Sequence, residues 1–569
     1  MTSAVLRPAA PLRKTVQKTG PDVWIMRAML YFAAGFLLLF VLMPLWAMLS
    51  KSFTDGDGLY IGLANYFDYF ATPALSNSIY NSITISLAVT VIVVPMAFLY
   101  AYGLTRTCMR FKGIYKALAM APLLAPSLLP AISLVYLFGN QGIFKDVLMG
   151  ESIYGPIGIV LGMCFYVFPH ALLILLTALS TSDARLYEAA QALGAKPTKM
   201  FLSVTLPGVR YGLISAVFVV FTLVITDFGV PKVIGGQYNV LATDIYKQVV
   251  GQQNFNMGAV VGMILLVPAC LAFFADQMAQ RRQVSQLSSR AVPYQPKIER
   301  GRDRLFLIYC SFVSLFILMI VGIAAWASLI KFWPYDFTLV LKNYDFNAIE
   351  PNGWQSYTNS LEFAALTALF GSLFIFTTAY LVEKGRKHNW LRNGLHALAM
   401  VPLAVPGMVL GLSYIFFFNA PDNPLNFLYS TMAILVLSTV AHFYTVSHLT
   451  AITALKQIDP EIEAVSQSLK VPFYKTFFKV TLPVCLPTVL DIAIYLFVNA
   501  MTTVSAVVFL YAPDTKLASI AVLNMDDVGD TAPAAAMAMM IFMTALAVRL
   551  LYSFMTRKML RRTQAWRFK

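Results

Sequence analysis

The stretch Asp183-Ala-Arg-Leu-Tyr-Glu-Ala-Ala-Gln-Ala-Leu-Gly-Ala195, continuing to Val204-Thr-Leu-Pro207, has an order of residue types that fits recognition of another protein and not bond-making chemistry. Leu186, Ala189, Ala190 and Leu193 recur at helical spacing while Arg185, Glu188 and Gln191 stay polar, so the spacing predicts a short amphipathic helix with a narrow apolar face. Ser180, Thr181, Ser182 and Asp183 are all N-cap types, Gly194 is a stop signal, and Pro207 is expected to open the next membrane helix. A face of Ala and Leu lets such a helix seat closely in a groove on a partner. The design recurs later in the chain. Asp459, Ile462, Val465 and Leu469 align with Asp183, Leu186, Ala189 and Leu193, but Ala464, Val465 and Ser466 stand in register with Glu-Ala-Ala, Lys470 replaces the glycine, and Glu463 lies one position early.

A second set of candidates lies inside apolar runs, where an ionisable group costs several kcal/mol and is a functional candidate by default. These are Asp227, Asp491 and Glu362, with His170, His442 and His448 behind them. The histidines lack metal-ligand spacing and read as satisfied internal groups. Asn81-Ser82 and Asn359-Ser360 read as caps at the outer ends of membrane helices. Paired carboxylates, a Cys/His dyad and a metal motif at a common depth are all lacking, which argues against a membrane enzyme. No stretch matches Gly-x-x-x-x-Gly-Lys-Ser/Thr, so ATP hydrolysis is not expected of this chain. Cys108, Cys164, Cys270, Cys310 and Cys485 are scattered through apolar runs and read as packing residues, with no metal bound.

The elements that carry these residues follow from composition. With 59% hydrophobic and 12% charged residues, the 569-residue chain is too apolar for a soluble protein and belongs in a bilayer. Twelve apolar stretches long enough to span it lie near 27–49, 79–103, 114–138, 156–179, 208–230, 258–278, 305–330, 359–382, 394–418, 428–452, 484–510 and 533–555. If the N-terminus is cytoplasmic, the inside segments hold 34 of the 42 Lys and Arg residues and the outside loops seven, so both termini are expected in the cytoplasm. That dispersal over seven short segments also excludes nucleic acid as the reason for the net charge of +15. The first span follows a basic leader (Arg7, Arg13, Lys14, Lys18) and is too long for a secretory signal core, so it is expected to remain as an anchor. The stretch 279–304, rich in Arg with Gln and Ser, reads as a solvated linker between a first half, 1–278, and a second, 305–569.

Shifting the chain by about 276 residues superimposes the halves. Asn81-Ser82 matches Asn359-Ser360; Ala117-Leu-Ala-Met-Ala-Pro122 and Pro126 match Ala397-Leu-Ala-Met-Val-Pro402 and Pro406; Val204-Thr-Leu-Pro207 matches Val480-Thr-Leu-Pro483. With six spans each, both halves enter the membrane in the same direction, giving a parallel repeat that encloses a central pathway. An ion-gradient-driven transporter would match buried charges between halves, yet Asp227 aligns with Thr503, Asp491 with Ser215 and Glu362 with Thr84.

The pattern Glu-Ala-Ala, three residues, Gly, nine residues, an aliphatic, one residue, Leu-Pro resembles the cytoplasmic-loop signature of permeases from binding-protein-dependent ABC importers. Glu188, Ala189, Ala190, Gly194, Val204, Leu206 and Pro207 carry it. The resemblance covers essentially the whole chain as two fused copies, an arrangement similar to iron(III), thiamine and phosphonate importer permeases. It implies an all-α integral membrane protein of twelve transmembrane helices in two parallel six-helix repeats, in a bacterial inner membrane. The implied partners are two ABC ATPase subunits, which bind the ATP and Mg, and an external or periplasmic solute-binding protein. Leu186, Glu188, Ala189, Ala190, Leu193, Gly194, Leu206 and Pro207, with Ile462, Glu463, Ala464, Val465, Leu469, Lys470, Leu482 and Pro483, would be the two coupling sites, expected to be unequal because the second lacks the glycine. In related permeases the fifth span of each half approaches the path, which would set Thr222, Thr226 and Asp227 across from Asn499, Thr502, Thr503 and Ser505. The other reading is that Asp227 sits at the interface beside Gly229 and Pro231 and that the hydroxyls bond backbone or neighbouring helices. The outer stretch from Lys331-Phe-Trp-Pro-Tyr-Asp-Phe337 through Lys342-Asn-Tyr-Asp-Phe346 to Tyr357-Thr-Asn-Ser360 resembles fused permeases assigned to 2-aminoethylphosphonate uptake, with iron(III) as the alternative cargo; an aromatic interface belt would be equally rich in Trp and Tyr.

Overall fold

A computed structural model describes residues 21–286, 292, 294–385 and 389–563. The basic leader and Arg290 of the linker lie outside the described residues. Eight continuous helices are long and apolar enough to cross a membrane: Trp24–Lys51, Pro73–Arg106, Pro156–Ser180, Pro197–Thr226, Phe255–Gln280, Arg300–Ala327, Trp354–Lys384 and Thr531–Thr556. Four further crossings are bent helix pairs, Lys112–Leu124 with Leu128–Phe138 (101°), Trp390–Ala404 with Gly407–Phe418 (110°), Met432–His442 with Tyr444–Lys456 (56°), and Phe473–Val484 with Leu486–Thr502 (75°). Counting each pair once gives twelve spans, each at an expected place, called spans one to twelve below. A hairpin of Ile330–Phe332 and Asp336–Leu339 follows span seven.

The bends have local causes. Spans three and nine break around Pro126 and Pro406, each of which lacks an N–H and clashes with the preceding turn. Span eleven bends at Cys485, beside Pro487; the residue aligned with Pro487 in the straight span five is Tyr211. Pro207 does not open a span. Span five starts ten residues earlier at Pro197, and a π-helical turn, Phe201–Thr205, runs into Leu206-Pro207. Phe477–Thr481 repeats that turn before Leu482-Pro483.

Spans five and eleven end sooner than their apolar runs, at Thr226 and Thr502 instead of 230 and 510. The chain then leaves the helix and returns through short helices, Gly229–Ile234 and Leu241–Tyr246 in the first half and Ala518–Asp527 in the second. Asn81 and Asn359 are not caps. Spans two and eight begin at Pro73 and Trp354, which places both Asn-Ser pairs a turn or more inside, where they hold the returning segments. Asn81 donates to the Asn239 carbonyl (2.9 Å) and Asn359 to those of Asp514 (2.8 Å) and Lys516 (3.1 Å). Ser82 and Ser360 accept the backbone N–H groups of Leu241 (2.8 Å) and Ala518 (2.7 Å), orphan donors at the start of each short helix.

The first span of each half packs on the other half. Span one lies along spans eight and nine: Tyr414 donates to the Phe40 carbonyl (2.7 Å), Phe36 sits 4.5 Å from Phe374, and Phe40 stacks on Phe418 at 5.7 Å. Span seven lies along spans two and three: Ser133 donates to the Ile320 carbonyl (2.9 Å), Tyr309 to that of Met96 (2.8 Å), and the hydroxyls of Tyr100 and Ser314 meet at 2.9 Å. Cys310 and Cys485 are buried in the resulting core.

Candidate functional site

The first recognition helix forms as its residues dictate. Asp183 caps it, accepting the Arg185 N–H at 3.1 Å, and the helix runs Ala184–Ala192. The Arg185 side chain donates to the same carboxylate at 2.7 Å and, with that N–H, holds its pKa down at about 2. Gly194 terminates the helix at φ 71°, and the Ala195 N–H reaches back to the Ala190 carbonyl (3.0 Å). Leu186 (58% exposed) and Leu193 (87%) stand free together with Ala189 and Glu188, while Ala190 is half-buried. The inner side is held by Tyr187, buried, whose hydroxyl donates to Thr205 at 3.0 Å. Leu206 and Pro207 lie two turns of span five away, beyond the π-helical turn.

The second helix, Pro460–Ser468, presents Ala464, Val465 (57% exposed) and Leu469 (70%), with Ile462 half-buried, beside a groove of about 650 Å³ lined by Ile462, Val465, Val471 and Lys475. Its end closes without a glycine. Lys470 adopts the left-handed conformation at φ 53°, and the Val471 N–H bonds the Ser466 carbonyl (2.9 Å), so both helices close in the same way. A non-glycine residue held there costs about 1–2 kcal/mol. The two helices also differ on the inner side. Glu463, aligned with Tyr187, is 8% exposed and lies 3.4 Å from Lys384, which also donates to the Ile458 carbonyl (3.1 Å). At the aligned end of span two, Arg106 lies over the Tyr187 ring at 5.3 Å and donates to the Leu179 carbonyl (2.8 Å). A cation at the end of span two or eight thus grips each helix, through an aromatic face in one half and through a carboxylate in the other.

At membrane depth, the polar side chains mostly bond their own helices. Thr222 and Thr226 donate to the carbonyls of Phe218 and Thr222, Thr502 to that of Val498, and Asn499 to that of Tyr495. Asp227 accepts the Val230 N–H (3.0 Å) at the turn out of span five. Thr503 is buried, its carbonyl accepting from Ser519 (2.7 Å). Asp491 accepts from Tyr552 across spans eleven and twelve, and Glu362 is exposed on span eight. The histidines depart from expectation. His448 pairs with His396 at 3.3 Å, and the buried Nδ1 atoms of His170 and His442 have no hydrogen-bond partner among the described residues.

The segments leaving spans five and eleven seat against the breaks of spans three and nine, and here the repeat exchanges its residues. In the first half Gly229 faces Ser127: a Cβ on Gly229 would fall 2.1 Å from Ser127 Oγ. In the second, Gly407 stands where Ser127 would and faces Ser505, whose Oγ would be 2.3 Å from a Cβ on Gly407. One contact therefore holds one serine and one glycine, with the backbones that carry them swapped. The aligned letters are visible in the sequence, but nothing there places the two positions together.

Residues 108–284 and 379–561 each match the family described as binding-protein-dependent transport system inner membrane component. Relatives include the ferric transport system permease protein FbpB of Actinobacillus pleuropneumoniae, 28% identical over 489 residues that span 83% of this chain and 70% of that one. The putative ferric transport system permease protein FbpB 1 of Haemophilus influenzae is 28% identical over 84% of this chain and 77% of its own length. The spermidine/putrescine transport system permease protein PotB of Haemophilus influenzae, 26% identical, covers 43% of this chain. Among solved structures, a bacterial alginate ABC transporter in complex with an alginate pentasaccharide-bound periplasmic protein aligns over 48% of this chain and 98% of its own, at 17% identity and a TM-score of 0.40.

Proposed function

The chain belongs to the binding-protein-dependent transport system inner membrane components, as two fused copies in one multi-pass inner-membrane permease of an ABC importer, and we propose that its cargo is ferric iron. The observation that carries this reading is similarity along most of both chains to two permeases named for ferric transport, whereas the spermidine/putrescine relative aligns with less than half of this one. The 2-aminoethylphosphonate reading has no such support. The outer residues that suggested it have structural work: Trp326, Trp333 and Phe337 pack ring against ring, Lys331 pairs with Asp336 at 2.9 Å, Tyr357 meets Thr544 at 2.6 Å, and Asn359-Ser360 hold the segment after span eleven. Uptake of radiolabelled ferric iron and of labelled 2-aminoethylphosphonate, in a strain lacking the permease and complemented with it, tests the assignment. Complementation of iron uptake alone is expected; complementation of phosphonate uptake alone overturns it.

Energy for import enters, in this reading, through the two exposed helices. Leu186, Ala189 and Leu193 of the first and Ala464, Val465 and Leu469 of the second would each fill a groove on an ATPase subunit, a helix-in-groove contact read by alternate small and aliphatic side chains. Both termini would lie on the same cytoplasmic side, where the basic segments cluster. Asp227, with Thr222 and Thr226, and Asn499, Thr502, Thr503 and Ser505 would flank the path near its outer end. Asp227 best fits a role there, since it is the one ionisable group of the set and the Val230 N–H orients its carboxylate at the turn out of span five. Normal uptake by Asp227→Asn at normal membrane levels would remove it from the path.

A further inference from the structure

The chain between the halves does more than connect them. Span six continues as helix to Gln286 and span seven starts at Arg300, so both ends of 279–304 are helical. Val292, Tyr294 and Lys297 lie against the first recognition helix. The Ala184 N–H donates to the Val292 carbonyl (2.8 Å), the Val292 N–H to Asp183 (3.3 Å), and Lys297 to Gln191 (3.2 Å). The Tyr294 ring lies 4.6 Å from that of Tyr187, and the Arg106 guanidinium lies 4.6 Å from Tyr294 and 5.3 Å from Tyr187. Arg106 is 3% exposed, and its Nε has no hydrogen-bond partner among the described residues, which suits a cation faced by rings.

The same segment is tied to spans two and seven. Cys108 donates its thiol to the Pro296 carbonyl (3.3 Å) and its N–H to Asp303 (3.0 Å). Arg302 donates to the Lys297 carbonyl (2.6 Å) and pairs with Glu299 at 3.1 Å. Span seven in turn packs on spans two and three while belonging to the second half. The helix Pro460–Ser468 differs: its hydrogen bonds and ion pair among the described residues, through Glu463 to Lys384 and through Ser466 to Thr476 and Val471, stay in its own half.

We propose that Val292 and residues 294–303 form a strap that makes the first recognition helix, the end of span two and the start of span seven one mechanical body, with Tyr294 and Lys297 as its positioning residues. Displacement of the helix 184–192 then moves part of the second half directly, while displacement of the helix 460–468 acts on its own half alone. The two docking helices thus differ in output as well as in how spans two and eight grip them. This rests on the reading that the two helices dock ATPases, and the test separates the two claims.

In the complete importer reconstituted in lipid nanodiscs, distances between genetically encoded spin labels are measured with and without a non-hydrolysable ATP analogue for the pairs 192/468 and 192/305, all three positions being exposed and outside the two docking faces. If the helices dock ATPases, the 192/468 distance shifts with nucleotide; no shift in the parent removes the docking reading, and the strap with it. The strap predicts that the 192/305 distance stays fixed in the parent. In Tyr294→Ala/Lys297→Ala it should change with nucleotide while 192/468 still responds, and Tyr294→Phe should behave as the parent because it keeps the ring over Arg106. A 192/305 distance that shifts in the parent, or stays fixed in the double variant, overturns the strap. Should the double variant fail to insert, Tyr294→Leu, which keeps apolar bulk and removes the aromatic face, is read in the same way.

Discussion

The exchanged Ser127/Gly229 and Gly407/Ser505 contacts make a quantitative prediction. Gly229→Ser alone puts a Cβ 2.1 Å from Ser127 Oγ and 3.0 Å from Ser127 Cβ, against about 3.5–4.0 Å for comfortable contact, and adds a second hydroxyl to a buried turn. Overpacking of this kind costs about 1–3 kcal/mol. Ser127→Gly alone leaves a void and loosens the break in span three, at a cost of about 1 kcal/mol. Making both changes moves the same atoms to the opposite backbone, which is how the second half is already built, so the double variant should lie within about 1 kcal/mol of the parent. The expected coupling is therefore about 1–4 kcal/mol in favour of the pair. Thermal melting of the purified protein in detergent, read by tryptophan fluorescence, should rank the parent and the double variant together and Gly229→Ser well below them, and uptake should follow the same order. A double variant as unstable as the sum of its singles would refute the claim that a conserved volume seats the segment after span five.

Three other outcomes are expected. Lys470→Gly should raise the melting temperature, since it removes about 1 kcal/mol of left-handed strain at φ 53°; a fall would mean that the lysine side chain contributes more than its backbone costs. Ser82→Ala and Ser360→Ala should each strand a buried N–H, of Leu241 or Ala518, at about 1–3 kcal/mol, and speed hydrogen exchange over 241–246 or 518–527 respectively; unchanged exchange would count against the pin. Burial first, and then the neighbouring Asp527, push the Asp526 carboxyl up to about 6, with Lys232 opposing. A carboxyl raised in the folded state contributes most stability below its unfolded value of 3.8 and loses that contribution as pH rises through about 6. Asp526→Asn should therefore melt higher than the parent at pH 7.5 and show a smaller difference at pH 4.5; equal differences at both would contradict the assignment.

Much of this architecture is written in local patterns. Apolar length marks the twelve spans, the shift of 276 marks the repeat, and the spacing of Leu186, Ala189 and Leu193 with Asp183 and Gly194 marks a capped helix whose geometry follows closely. What sequence missed depends on contacts between distant segments. Asn81 looks like a cap because helix starts favour Asn, yet its partner, the Asn239 carbonyl, is 158 residues away. Lys470 replaces a glycine in the letters, yet the Val471 N–H to Ser466 carbonyl bond closes its helix as in the first half. Glu463 looked like a displaced copy of Glu188, whereas its register with Tyr187 turns it inward to Lys384. Hydropathy drew spans five and eleven too long because the residues that leave them, 228–230 and 504–510, are apolar almost throughout and mostly buried in protein.

The packing of span one has a consequence for biosynthesis. Its main partner, Gly407–Phe418, is made more than 350 residues after Lys51, so at about 5–20 residues per second the ribosome delivers it roughly 20–70 s later. Through that interval the face around Phe40, whose ring stacks on Phe418 and whose carbonyl accepts from Tyr414, is open to lipid or to an insertion factor. Two separately translated halves would have to find each other by diffusion before either was complete. Joining them in one polypeptide replaces that search with a tethered encounter at high effective concentration. Fusion therefore matters to this chain first as a timetable for assembly, and a nascent product arrested before residue 407 should be a preferred substrate for membrane quality control.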